Sequence, residues 1–439
     1  MKSKKEISFI KRLVPSDISN YKLLLYALLV GLVTGLLSSL FRMILARLVT
    51  LRTIAEIVGL HQFGLDWLWS IFFTFIGVWF SIFLVKKYAP ETAGSGIQEI
   101  EGALDGLRPI RWRRVLPVKF IASLFSLSSG LLLGREGPTV QIGANVGKMT
   151  EDVFKQPVEE DNPLISTGAA AGLASAFNAP FAGIIFVIEE MNGHFKFNFY
   201  SLAALMIGAG SADMIVRLLI GSGPILKTTI FTFEELSGIW LFVVFGLILS
   251  IIGLVFNKLL VKSLDFFKKL KVNYTIIALT MALLITVVGL FSEDMIGSGY
   301  GTIANAYANS FTLKFLLVLF VVRFCLSILS YGSGVPGGIF TPLITLGVIS
   351  GMLFGGLAQY FFPDIVTDPA IFGVAGMAGI FASTIRAPLT GLALSVEMTA
   401  NYELILPLIF TAVTASVCTT ILGNGPIYSI LLKRVLNKQ

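Results

Sequence analysis

Glu136 stands in the run Gly134-Arg135-Glu136-Gly137-Pro138, directly after the apolar stretch KFIASLFSLSSGLLL at 119–133. A carboxylate there is costly in hydrocarbon unless it faces a protein-lined or water-filled path, so an intramembrane Glu is read first as functional. Glycines on both sides let the backbone approach a ligand, and a proline in the first turn of a new helix gives up no needed hydrogen bond. The N–H groups exposed at such a helix start favour an anion. One short stretch therefore offers an anion-binding helix start and a protonatable group able to compete with the anion for it.

Two more Gly-rich turns bear on the same chemistry. Gly94-Ser95-Gly96-Ile97-Gln98 supplies a hydroxyl at Ser95, which donates to an anion without a charge and so suits binding weak enough for release. A GSG run alone more often marks only a turn. Gly338-Ile339-Phe340-Thr341-Pro342 aligns with 134–138 and sets an apolar Phe340 opposite Glu136. Other chemistries find little support. His61 and His194 sit beside span ends, no HExxH or CxxC spacing occurs, and Cys325 and Cys418 lie singly in apolar runs. No metal site, cofactor or enzymatic activity is expected.

The elements that must position these turns are membrane helices. Of 439 residues, 55% are hydrophobic and 13% charged, and apolar runs near the roughly 20 residues needed to cross a bilayer recur along the chain. Clear runs are 21–46, 65–85, 198–220, 236–262, 274–291, 310–330, 343–362 and 403–422, with Gly- and Pro-interrupted segments between them. The alternating ten-residue strands of an outer-membrane barrel are absent from the pattern. The fold class is thus an all-α polytopic membrane protein.

The net charge of +7 follows the positive-inside pattern rather than that of a nucleic-acid binder. Lys2, Lys4, Lys5, Lys11 and Arg12 precede the first span; Lys258, Lys262, Lys268, Lys269 and Lys271 surround a middle loop; Lys433, Arg434 and Lys438 end the chain. All three groups, and with them Arg108, Arg111, Arg113 and Arg114, are expected on the cytoplasmic side. No cleavable signal peptide is expected, because the N-terminus lacks a small-residue cleavage site after a short apolar core.

The two halves resemble each other. VKFIASLFSLSSGLLLGREGPTVQIG at 118–143 lies over VRFCLSILSYGSGVPGGIFTPLITLG at 322–347, pairing Lys119 with Arg323, Pro138 with Pro342 and Gly143 with Gly347. GAAAGLASAFNAPFAGIIFVIE at 168–189 lies over GMAGIFASTIRAPLTGLALSVE at 376–397, pairing Ala179-Pro180 with Ala387-Pro388 and Glu189 with Glu397. Two collinear blocks at nearly one offset mark an internal repeat, parallel or inverted; an inverted one places substrate near the midplane where paired broken helices meet.

GSGIQEIEGAL at 94–104, GREGPTVQIG at 134–143, GGIFTP at 337–342, FNAPFAGIIFVIEEM at 177–191, RAPLTGLALSVEMT at 386–399 and GPIYSILL at 425–432 resemble the CLC chloride channel and transporter family from about residue 20 to 434. The resemblance implies two inverted repeats of membrane helices, several broken or re-entrant, and a homodimer with one ion path per subunit. It divides the chain into a cytoplasmic segment 1–20, repeats at 21–225 and 226–434, and a short cytoplasmic tail at 435–439. It further implies that Ser95 and Tyr428 coordinate chloride through hydroxyls, that the backbone amides of Ile339 and Phe340 complete the site, and that Glu136 is the external gate. A carboxylate and a halide want the same amides and repel each other, so protonation couples to ion occupancy.

Glu190 falls at the family's internal proton-transfer position. Its presence favours a secondary transporter exchanging chloride for protons over the alternative, a passive chloride channel gated by Glu136. Glu189, about 100° away on a helix, reads as structural. Lys119 and Arg323 either raise the potential along the path or serve structure. Asp213 and Arg217 are spaced as an i, i+4 ion pair, and Glu99 and Glu101 are expected in a polar cluster with nearby arginines, Glu101 also aiding proton entry. One departure is visible: the turn after Ser95 commonly continues Gly-Ile-Pro but here reads Gly96-Ile97-Gln98, which could loosen the helix start. Retention of Ser95 argues for chloride over nitrate. The short C-terminal stretch implies no nucleotide-sensing domains, and the short form resembles prokaryotic members of the inner (plasma) membrane.

Overall fold

The computed structural model describes residues 18–57, 66–155, 163–191, 198–226, 228, 229, 231, 233, 236–270, 272–308 and 310–437. His61, His194, Lys271, Lys438 and the basic N-terminal residues Lys2 to Arg12 lie outside the described residues. Among the described residues, the first eight α-helices are α1 (Ile18–Ile57), α2 (Asp66–Tyr88), α3 (Ile97–Leu104), α4 (Trp112–Ser128), α5 (Glu136–Val153), α6 (Pro163–Phe177), α7 (Pro180–Glu190) and α8 (Phe199–Leu219). They recur in order and approximate length as α9 (Ile239–Lys269), α10 (Tyr274–Phe291), α11 (Tyr300–Tyr307), α12 (Leu313–Gly332), α13 (Phe340–Phe361), α14 (Ala370–Thr384), α15 (Pro388–Thr399) and α16 (Ile405–Ile421), and α17 (Ile427–Leu436) follows.

Among the described residues, eight helices are long and apolar enough to cross a membrane, and each coincides with one of the eight runs read from hydropathy. Their outer faces expose Leu, Ile, Val and Phe, as lipid-facing surfaces do. Between them sit short helices, among them α3 and α11 at eight residues each. Irregular backbone at such breaks is tolerated only where it is buried in protein or lines a cavity, and the turns at Gly94, Ser95, Gly134 and Gly338 are buried.

Contacts between equivalent helices decide the sense of the repeat. In α2 and α10, Trp79 donates to Thr275 at 3.2 Å while Thr286 donates to Ser70 at 3.2 Å, so the two helices run antiparallel. In α7 and α15, Glu189 near the end of the first accepts from the backbone N–H of Leu389 (3.0 Å) and Thr390 (2.7 Å) at the start of the second. Glu397 near the end of α15 accepts reciprocally from Phe181 (3.2 Å) and Ala182 (2.7 Å). Each carboxylate satisfies N–H groups that a helix start leaves orphaned, which gives Glu189 the structural part expected of it. Repeats related along the membrane normal would pair equivalent helices in parallel; these are inverted.

The glycines matched between the halves are where helices touch. A Cβ on Gly143 would lie 2.0 Å from the Gly168 carbonyl, and one on Gly347 would lie 2.3 Å from that of Gly376. The α5–α6 and α13–α14 pairs thus pack backbone to backbone, the close approach that small residues permit in membranes. Asp213 and Arg217 form the expected ion pair on α8.

Candidate anion and proton site

Three chain breaks meet at the centre of the molecule. Gly94 N–H donates to the Val335 carbonyl at 3.1 Å and Gly337 N–H to the Gly94 carbonyl at 2.9 Å. Gly134 and Gly338 exchange both backbone hydrogen bonds, at 2.8 and 2.7 Å. These bridges bring the starts of α3, α5 and α13 together without a sheet. Both sequence halves contribute, so neither forms the site alone.

Buried cations hold the turns. Lys119 of α4, fully buried, donates to the carbonyls of Thr92 (3.0 Å), Gly94 (2.8 Å) and Ser95 (3.0 Å). Arg323 of α12, also fully buried, donates to the carbonyls of Asp294 (2.7 Å), Ile296 (3.1 Å) and Gly297 (2.9 Å). Of the two readings open from sequence, the structural one has direct contacts. The second turn, Gly297-Ser298-Gly299, repeats Gly94-Ser95-Gly96, with Gly96 at φ 89° and Gly299 at φ 110° preceding α3 and α11. That correspondence was not read from the sequence, although the GSG repeat at almost the offset of the first block was its signal. Gln98 does not prevent α3 from starting at Ile97, and the Ser95 N–H also donates to the Tyr331 hydroxyl at 3.3 Å.

Glu136 is the first residue of α5 and is 0% exposed. Its Oε1 accepts from the Thr341 hydroxyl and from the Tyr300 hydroxyl, the latter at 3.3 Å. Its Oε2 is buried without a hydrogen-bond partner. The adjoining glycines are explained by approach: a Cβ on Gly134 would lie 1.9 Å from Glu136 Oε2, and one on Gly137 would lie 2.3 Å from Ser95 Oγ. Gly137 thereby places the start of α5 against the Ser95 hydroxyl.

Ser95 Oγ and Tyr428 Oη are both buried and lie close enough to interact, yet neither has a hydrogen bond of good geometry. Buried hydroxyls at Thr34, Ser38, Ser39, Ser123, Ser166, Thr167 and Ser327 also lack partners, so what sets Ser95 and Tyr428 apart is their place beside the starts of α5 and α13. The Tyr428 ring is 5.9 Å from that of Phe340, which also packs on Phe186 at 5.7 Å. Ile339 and Phe340 open α13, and the first N–H groups of a helix have no partner within it. The structure thus gathers Ser95, Tyr428, Glu136 and the Ile339–Phe340 backbone around one point.

Glu190 ends α7, and its carboxyl lies close enough to that of Glu101 on α3 to interact with it. Here the structure corrects one expectation: Glu99 does meet an arginine, Arg108 at 2.9 Å, but Glu101 faces the other way, to Glu190. The acid that meets Arg111 and Arg114 is Glu91. Tyr428 interacts electrostatically with both Glu190 and Glu101, which links the carboxyl pair to the hydroxyl pair. Beyond Glu136 on the other side lies a cavity of about 590 Å³ lined by Arg42, Arg52, Arg135, Glu293, Asp294 and Tyr300 among others.

A family profile described as voltage gated chloride channel matches residues 77–420. The chain belongs to the voltage-gated chloride channel family. Within that family it is similar to the H(+)/Cl(-) exchange transporter ClcA of Salmonella arizonae, with 41% identity over 436 residues, covering 98% of this chain and 92% of the relative. The ClcA of Salmonella paratyphi B is 40% identical over the same span. Among solved structures, a slow cyanobacterial Cl-/H+ antiporter superposes with a TM-score of 0.92 at 37% identity, covering 95% of this chain and 98% of that one. A CLC-type fluoride/proton antiporter shares the fold at a TM-score of 0.74 and 23% identity, covering 91% of this chain and 96% of that one. A member of the voltage-gated chloride channel family is a transport protein and not an enzyme, and among the described residues no cluster of metal-ligating side chains occurs.

Proposed function

We propose that this chain is a secondary active transporter that exchanges chloride for protons across a membrane. The exchange activity named for its ClcA relatives, which the chain matches over 98% of its length, supports the reading. The observation that carries it is the placement of the buried Ser95 and Tyr428 hydroxyls beside a helix start whose first residue is the fully buried Glu136. Chloride binds between those hydroxyls and the amides of Ile339 and Phe340, where uncharged donors hold it without trapping it.

Glu136 is the external gate. As a carboxylate it competes for the same helix starts; once protonated it leaves them to chloride, because a neutral carboxyl no longer gains from the N–H groups and dipoles around it. Glu190 is the internal proton acceptor, and Glu101, close beside it, passes it the proton. The polar groups run in order from the cavity beside Tyr300 through Glu136 and the hydroxyl pair to Glu190. The halves are the repeats at 21–225 and 226–434. The chain works as a homodimer in the inner (plasma) membrane with both termini cytoplasmic, and it has no nucleic-acid partner.

Purified protein in sealed liposomes under a chloride gradient tests the assignment. Exchange predicts that chloride efflux drives protons against their own gradient. Chloride efflux with no proton movement makes the protein a passive channel and removes the role given to Glu190.

A further inference from the structure

The gate carboxylate is held from the opposite half of the molecule. Thr341, second residue of α13, donates to Glu136 Oε1, and so does Tyr300, first residue of α11. The two hydroxyls are themselves 3.3 Å apart. Thr341 is fully buried, and its position in the first turn fixes the hydroxyl at the same helix start that the gate occupies. Tyr300 follows the 297–299 turn that Arg323 pins by its carbonyls, and the Arg135 guanidinium sits 4.8 Å from the centre of its ring. A cation over the ring face holds the phenol in place.

We propose that Tyr300 and Thr341 form a hydroxyl clamp that retains Glu136 in the ion path and so sets how fast the gate opens. Both are positioning residues acting through Glu136 rather than ligands of the transported ion. A hydrogen bond to an ionised acceptor is stronger than one between neutral groups. Each opening must break both contacts, so the clamp slows chloride turnover without supplying or removing a charge. The charged and titratable side chains around this point are Arg42 and Arg52 of α1, Arg135 beside the gate, Glu293 and Asp294, and Arg323 behind the turn. None of them is altered when the hydroxyls are removed.

The inference rests on the reading of Glu136 as the gate, and one experiment separates the two. Chloride and proton fluxes are measured in liposomes for Thr341→Ala, Tyr300→Phe and Thr341→Ser, each alone and combined with Glu136→Ala. The clamp predicts that Thr341→Ala raises chloride turnover by about tenfold or more, the loss of one charge-assisted hydrogen bond. Tyr300→Phe raises it less, and Thr341→Ser restores the slower rate relative to Thr341→Ala. In the Glu136→Ala background none of these substitutions changes turnover, a silence that a general packing defect would not produce. Unchanged or lower turnover in Thr341→Ala, or an effect that persists without Glu136, overturns the clamp and leaves the gate standing. Proton coupling that survives Glu136→Ala overturns the gate itself, and the clamp with it.

Discussion

The two halves are built alike and equipped differently. Each has a Gly-Ser-Gly turn pinned by one buried cation, a broken helix with proline in its first turn, a backbone contact between glycines, and a carboxylate that caps the other half's helix. At the centre the resemblance stops. The first half brings Ser95 and the ionisable Glu136; the second brings Phe340, an apolar residue at the matching place, and the hydroxyls of Thr341, Tyr300 and Tyr428. Inverted repeats supply a symmetric frame with two facing helix starts. Directional proton handling needs them unlike, with the acids supplied by one half and hydroxyls by both.

If the cations belong to the shared frame, removing either should damage both halves to a similar degree, and this is the largest effect expected. Lys119→Met leaves three buried carbonyls without that donor, and Arg323→Met leaves the buried Ile296 carbonyl and the half-buried carbonyls of Asp294 and Gly297 without theirs. At about 1–3 kcal/mol for each unsatisfied group, thermal unfolding in detergent should show both variants severely destabilised. A stable Lys119→Met protein with weakened chloride binding would instead make that lysine a source of potential along the path.

The unlike centre predicts a smaller and more local change. Ser95→Ala and Tyr428→Phe each remove one uncharged donor, worth about 0.5–1.5 kcal/mol, so chloride affinity measured by calorimetry should fall by roughly threefold to tenfold. Their unfolding temperatures should stay near that of the parent, since neither hydroxyl has a protein hydrogen bond of good geometry to lose. A loss of stability matching that of the cation variants would place these hydroxyls in the frame.

Much of this was legible in the sequence, for identifiable reasons. All eight spans appeared because lipid allows only long apolar helices, and their limits moved by only a few residues at most ends. The Glu189–Glu397 match and the Gly143–Gly347 match were visible as a repeat, and the structure turns both into contacts. Other features were not legible. Thr341 and Tyr300 are ordinary residues in their segments, and only the fold brings them to a carboxylate 205 and 164 residues away. Glu101 looked like a partner for arginines seven to thirteen residues on, yet its helix turns it toward Glu190. The second Gly-Ser-Gly turn, at 297–299, is only three residues long and carries far less signal than the longer repeat blocks.

The account stands or falls on the two carboxyls doing separate jobs. The most direct test records chloride and proton fluxes together in liposomes for the parent and Glu190→Ala. Exchange with Glu190 as the inner proton acceptor predicts that Glu190→Ala still passes chloride but no longer drives protons uphill. Uphill proton movement that persists in Glu190→Ala would contradict it.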